Sequence, residues 1–152
     1  MKLDVSKVFP KNPSKLNGFK WVRAITALYL VVMVTRSCIH LFSADGSASS
    51  IAGISTTVEG GENIIAILHQ WGATQLILAL FLFLLLFQYP GFTPLILLTL
   101  AMDPVMRYVA GHMKAVTADG TPPGKSLNWV AFNLLVVLFL ASLVSREEKK
   151  FN

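Results

Sequence analysis

Charge is what this sequence has least of. Of its 152 residues only 14% are Asp, Glu, Lys or Arg, while 54% are hydrophobic. A soluble domain carries about 25% charged residues. So few cannot cover a water-facing surface, which excludes an ordinary soluble domain and implies a one-domain integral membrane protein. Cysteine is nearly absent, with Cys38 alone inside an apolar run. It can form no intramolecular disulfide. Arg36 and His40 flank it and could lower its pKa, but a lone buried thiol is normally inert, so no cysteine nucleophile is indicated. The single Asn-x-Ser motif is blocked, because Asn12 is followed by Pro13. No helix carries a His-x-x-x-His ligand pair, and no metal or cofactor is expected. Gly124-Lys125-Ser126 resembles the tail of a phosphate-binding loop, but the glycine required earlier falls on Asp119 and no strand precedes it. No internal repeat or low-complexity tract is present.

The charge that does occur is segregated. Lys2, Lys7, Lys11, Lys15, Lys20 and Arg23 cluster before or at the first apolar run, and Arg146, Lys149 and Lys150 follow the last one. Residues 43–63 contain no Lys or Arg and hold Asp45, Glu59 and Glu62. This is the positive-inside pattern. It accounts for the net charge of +5 without nucleic acid and predicts both termini on the cytosolic side of the plasma (bacterial inner) membrane. Membrane lipids are the generic partner such a chain implies.

Four apolar segments are predicted to span, at 21–42, 64–87, 94–113 and 129–144. The first, at 1.5 Å per residue, covers about 33 Å, which suffices for a bilayer core. Its length and Arg36 argue against a signal peptide, and Trp21 suits the interface. Residues 1–20 read as a basic cytosolic arm and 146–152 as a charged cytosolic tail. The short turn Gln88-Tyr89-Pro90-Gly91-Phe92 forces spans two and three into a hairpin. Thr56 with Glu59 fits a capping box, which would start a short helix there. Pro104 should kink the third span. Gly72 and Gly111 are read as points of close helix approach. The fold class is therefore all-α, an integral membrane antiparallel four-helix bundle, N-in and C-in.

Polar residues recur in the half of each of the first three spans nearest the long loops. Arg36 and His40 lie in the last two turns of span one, His69 and Gln70 near the start of span two, and Asp103, Arg107 and His112 in span three. Arg36 with His40, and Asp103 with Arg107, are four apart and share a helix face. Charged groups in hydrocarbon cost roughly 2.5 to 3.5 kcal/mol each, so they face protein or water. The hairpin makes His69 and Arg107 candidates to face each other. Two arginines against one Asp leave a positive excess. Either Glu59 or Glu62 dips in to neutralise it, or it binds an anionic group such as a lipid phosphate or a substrate carboxylate. Arg36, His40, His69, Gln70, Asp103, Arg107 and His112 are thus the candidate ligand-binding residues. The competing reading is structural, with Asp103 and Arg107 a helix-internal pair and the others snorkelling to the interface.

Two stretches, Gly60 to Ala73 (GGENIIAILHQWGA) and Arg107 to Pro122 (RYVAGHMKAVTADGTP), resemble small four-span bacterial membrane proteins of the DUF4345 and DoxX-like kind. Arg107 and Asp119-Gly120 match that pattern's closing Arg and Asp-Gly-x-Pro. Its Tyr-Gly-Gly of helix two is replaced here by Gln70-Trp71-Gly72-Ala73. The resemblance, over residues 20–145, implies a four-span fold and an association with respiratory or redox membrane complexes.

Three functions are compatible with these observations. The first is an accessory or assembly subunit, with a membrane protein partner or a second copy of itself, whose polar layer holds the bundle together. The second is a binder of, or enzyme on, an amphipathic lipid or quinone, with Asp103 or His69 handling protons and the arginines as clamps. The third is an oligomeric transporter or channel, which the absence of an inverted repeat disfavours.

Overall fold

The computed structural model describes residues 2–145. The chain forms α1 (Lys20–Phe42), α2 (Gly61–Gln88), α3 (Thr93–Met113), the one-turn α4 (Pro123–Ser126) and α5 (Asn128–Leu143). Two short 3₁₀ turns, Val5–Val8 and Pro90–Phe92, accompany them. Apart from a two-residue antiparallel bridge, β1 (Lys2–Leu3) with β2 (Val144–Ser145), the regular structure of the described chain is helical. Each long helix begins and ends close to the bounds expected from hydropathy, because an apolar run long enough to cross a bilayer satisfies its backbone hydrogen bonds only as a helix. The capping box is not used. α2 begins after Gly60, whose left-handed φ of 80° turns the chain into the helix without a side-chain cap.

Three helices, α1, α2 and the run from Pro90 to Met113, are long and apolar enough to cross a membrane, and α5 is apolar but shorter. Only 22% of the most apolar window of α1 and of α2 is buried inside the protein. Leu28, Val31, Val32, Ile77, Phe81, Leu84 and Phe87 face outward. A helix apolar on every side with most of that surface uncovered needs lipid or a partner around it.

α1 packs along α2, and α3 packs along α5, while contacts between the two pairs are sparser. The two pairs share one apolar core: Val22 and Leu30, Leu82 and Leu86, Ile96, Leu97 and Leu100, Leu135 and Leu138. All of these but Leu135, at the middle of α5, come from the half of each helix nearest the chain termini. The core fills that half, and polar side chains begin where it stops. α1 and α2 approach closely at Gly72, where a Cβ would lie 2.8 Å from the Leu41 nitrogen and 2.9 Å from the His40 Cβ. Gly111 plays no such part, since a Cβ there would meet nothing within 4 Å. Buried Thr26 and Ser37 donate their hydroxyls to the carbonyls of Val22 and Met33, so no polar hydrogen is stranded in the packed face.

The N-terminal arm is folded onto the bundle instead of lying free. The Asp4 N–H donates to Leu143 O at 3.0 Å, and the Gly91 N–H donates to Pro13 O at 2.7 Å. Lys7 Nζ donates to Val144 O at 2.6 Å, and Val8 is buried. Burial holds the Lys7 ammonium below its ordinary pKa, opposed by the nearby Asp4 carboxylate. Gly91 has to be glycine for this contact, because a Cβ would come within 2.7 Å of Pro13 O. The charged tail predicted at 146–152 lies outside the described residues.

The two glycines separate cleanly by experiment. Gly72→Leu is expected to destabilise the protein by about 1 to 3 kcal/mol through overpacking. Gly111→Ala should be neutral or stabilise by up to about 1 kcal/mol. Thermal unfolding in a mild detergent reads both, and equal effects at the two positions would contradict the packing described.

Candidate functional site

The site is built on α3. Asp103 and Arg107, one helical turn apart, form an ion pair with Nη2 2.7 Å from Oδ2. Their side chains are 21% and 28% exposed, so the pair is neither at the surface nor fully buried. The contact is short but lacks hydrogen-bond geometry, and both Asp103 Oδ2 and Arg107 Nε are buried without a hydrogen bond. The opposite charge is what compensates each group, more than a bidentate fork would. The turn α4 closes over the guanidinium, with Gly124 placed so that a Cβ would sit 3.7 Å from Arg107 Nη1. Next to it, Asn128 at the start of α5 donates Nδ2 to Pro104 O at 3.0 Å. A helix carrying proline is weakened at that turn, and Asn128 ties α5 to it. Asn128 Oδ1 and, on α2, Gln75 Oε1 are also buried without partners.

Arg36 reaches this region from α1. It lies near enough to be attracted by Asp103 and repelled by Arg107, without an ion pair to Asp103 among the described residues, and it shares its helix face with Tyr29, two turns below it on α1. Its guanidinium lies over the Trp71 ring of α2, 4.8 Å from the centroid. A delocalised cation over an indole face is held by the ring quadrupole even where water is scarce. The positive excess expected from two arginines and one Asp is therefore met in part by an aromatic face. Glu59 and Glu62 do not dip in, and both are exposed.

The histidines do something else. His40 Nδ1 lies 3.0 Å from Gly46 O, and His69 Nε2 lies 2.9 Å from Ser43 O. A carbonyl can only accept, so each of those nitrogens carries a hydrogen. Together they pin the loop that follows α1 down onto α2. His69 consequently faces the α1 loop and not Arg107. The adjacency inferred from the short α2–α3 turn fails because α2 spends its packing face on α1. The His40 ring also rests on Trp71, centroids 4.7 Å apart. Gln70 is exposed, and its carbonyl accepts from Thr74 Oγ1. His112 is exposed as well, bonded through Nδ1 to Tyr108 O and stacked on the Tyr108 ring. Of the candidate residues the structure brings together Arg36, Asp103 and Arg107; it places His40 and His69 at the loop and leaves Gln70 and His112 outside.

The pinned loop has its own organiser. Asp45 accepts from the backbone N–H groups of Ser47, Ser49 and Ser50 and from the hydroxyls of Ser49 and Ser50. Gly46 and Ser47 adopt left-handed φ of 59° and 67° to allow it. The Ser50 N–H first, then the Ser49 and Ser50 hydroxyls and the Ser47 N–H, hold the Asp45 carboxyl well below the usual carboxylate range.

Trp71, Tyr29, Gln75 and Asn128 were not among the candidate residues. Tyr29 sits seven residues before Arg36 and so on its face; that signal was available. Asn128 and Trp71 owe their roles to tertiary contacts. Among the described residues no group of three His, Cys, Asp or Glu is arranged to hold a metal ion. Two cavities open at the terminal end of the bundle, and neither is lined by a residue of this polar layer.

Since the folded pKa of Asp45 lies below its unfolded value, near 3.9, its stabilisation is complete above that value. It is lost as pH falls toward the folded pKa. The melting-temperature gap between the wild type and Asp45→Asn should hold steady from neutral pH to about 5 and narrow below about 4. A gap independent of pH down to that range would refute the assignment. Comparison of the chain with protein families, with curated proteins and with solved structures returned no match, so its chemistry rests on the geometry above.

Proposed function

We propose that this chain is a four-span membrane protein, both termini cytosolic, that serves as an accessory or assembly subunit of a plasma-membrane complex. Its polar layer then joins the helices instead of carrying out a reaction. The observation that carries this reading is where the polar groups spend their interactions: Asp103 on Arg107, Arg36 on Trp71, His40 and His69 on loop carbonyls. Each contact is internal, and each links a helix to its own turn, its neighbour or its loop. The outward surface of α2 is apolar from Ile77 to Phe87, which suits lateral association within the bilayer. The resemblance to DoxX-like proteins points the same way. α5, at about 24 Å, is the short span, and the preceding α4 turn lengthens its path.

A second reading has a specific observation in its favour. Arg107 Nε, Gln75 Oε1 and Asn128 Oδ1 are buried without hydrogen bonds, whereas Asp103 Oδ2 is met by the Arg107 charge. Unmet buried polar atoms cost about 1 to 3 kcal/mol each, and a polar headgroup or quinone oxygen could meet them.

Native mass spectrometry of gently extracted wild type and Arg107→Ala separates the two. The accessory reading expects a protein partner or second copy with the wild type, and a variant less stable by about 1 to 3 kcal/mol, below the 3 to 5 of a fully buried pair. A small amphipathic molecule bound to the wild type and lost from a still folded variant would sink it. Topology has its own test in a Cys38→Ala background. An impermeant maleimide applied to intact cells should label Thr117→Cys but reach Ser14→Cys only after permeabilisation. The reverse pattern would invert the proposed orientation.

A further inference from the structure

The terminal end of the bundle holds an open groove with a volume near 1160 Å³, walled by the N-terminal arm and the start of α1. Four lysines line it, Lys7, Lys11, Lys15 and Lys20, against a single acid, Asp4. Lys7 is held by Val144 O, whereas Lys11, Lys15 and Lys20 are exposed and form no ion pair among the described residues. Their mutual repulsion opposes the fold, and an anion seated among them would offset it. The groove is not purely polar. Phe9, 75% exposed, and Trp21, 49% exposed, both line it.

Its level in the molecule narrows the choice of anion. α1 starts at Lys20, so the groove begins where the apolar span ends. That is the depth at which phosphate headgroups lie, and an exposed indole at that depth favours the interface. A soluble phosphate would make no use of Phe9 or Trp21, but a lipid would, placing glycerol and the first methylenes against them. The arm is also fixed in position by the Asp4, Lys7 and Gly91 hydrogen bonds, so the lysines do not have to be ordered when the ligand arrives.

We infer that this groove is a binding site for the headgroup of an anionic phospholipid of the leaflet at the terminal end, with Lys11, Lys15 and Lys20 engaging the phosphate and Phe9 and Trp21 contacting its apolar base. The site is separate from the polar layer around Asp103 and needs only that the chain is membrane-embedded, not that it is an accessory subunit.

The test uses the full chain in bilayer nanodiscs of phosphatidylcholine with and without phosphatidylglycerol, and native mass spectrometry of the lipids retained on release. The wild type should retain phosphatidylglycerol preferentially, and rising salt should weaken the preference. A headgroup-level lysine contributes about fivefold, so K11Q/K15Q/K20Q should lower the preference at least about tenfold. K11R/K15R/K20R, which keeps the charge, should retain it. Equal retention of both lipids by the wild type would overturn the inference, as would a preference insensitive to salt or unchanged in the glutamine variant. Displacement of the lipid by inorganic phosphate alone would make this a free-anion site and overturn the lipid assignment. If the wild type does not enter bilayers at all, the membrane reading itself fails, which is a different result from a protein that enters without preference.

Discussion

Asp103 and Arg107 stand near the middle of an apolar helix, where an uncompensated charge costs several kcal/mol. Their spacing lets them answer each other within α3, without a partner from another helix. The surroundings follow from that arrangement. α4 covers the guanidinium, Asn128 braces the proline turn between the two residues, and Arg36, the cation left over, is carried by the Trp71 ring instead of a second carboxylate. The apolar core lies mainly in the opposite half of the same helices, so α1, α2 and α3 each divide along their length into a dry half and a polar half.

This division gives the two ends of the molecule different work. At the loop end, histidines and Asp45 fold the first long loop back on α2, and the second long loop meets it where the Asp119 N–H donates to Gly53 O at 2.7 Å. Both loops are thereby tied over the polar layer. At the terminal end, the arm is tied to α5 and to the α2–α3 turn by three hydrogen bonds and leaves its lysines and aromatic rings outward. One end is organised inward on itself, and the other presents exposed lysines and aromatic rings.

Much of this was legible beforehand because it depends on one-dimensional quantities. Apolar runs of bilayer length, loops bare of Lys and Arg, and the four-residue spacing of Asp103 and Arg107 are all properties of the chain read in order. The helix bounds and the segregation of polar residues to the loop half needed nothing more. The readings that failed were those that required knowing which face meets which neighbour. His69 was assigned to Arg107 because α2 and α3 are consecutive, yet the face of α2 that bears Gly72 packs on α1. Gly72 and Gly111 look alike in a sequence, but one fills a helix contact and the other faces open space. Residues 1–20 read from the sequence only as a basic arm; the few backbone and lysine hydrogen bonds that join it to Leu143, Val144 and Gly91 carry no compositional signal.

By itself the sequence determined that the protein is helical and suited to a membrane, where its long helices run, and that Asp103 and Arg107 share a face. Hydrocarbon length and helical periodicity are local constraints, and a single chain states them directly. Only the tertiary structure decided that Arg36 joins that pair while His40 and His69 serve the loop, that Asn128 and Trp71 belong to the same layer, and that the basic arm walls a groove. Those outcomes depend on the rotation of each helix about its axis and on contacts between residues far apart in the chain. Several rotations of an almost uniformly apolar helix such as α2 are equally compatible with its sequence, and packing against a particular neighbour selects one.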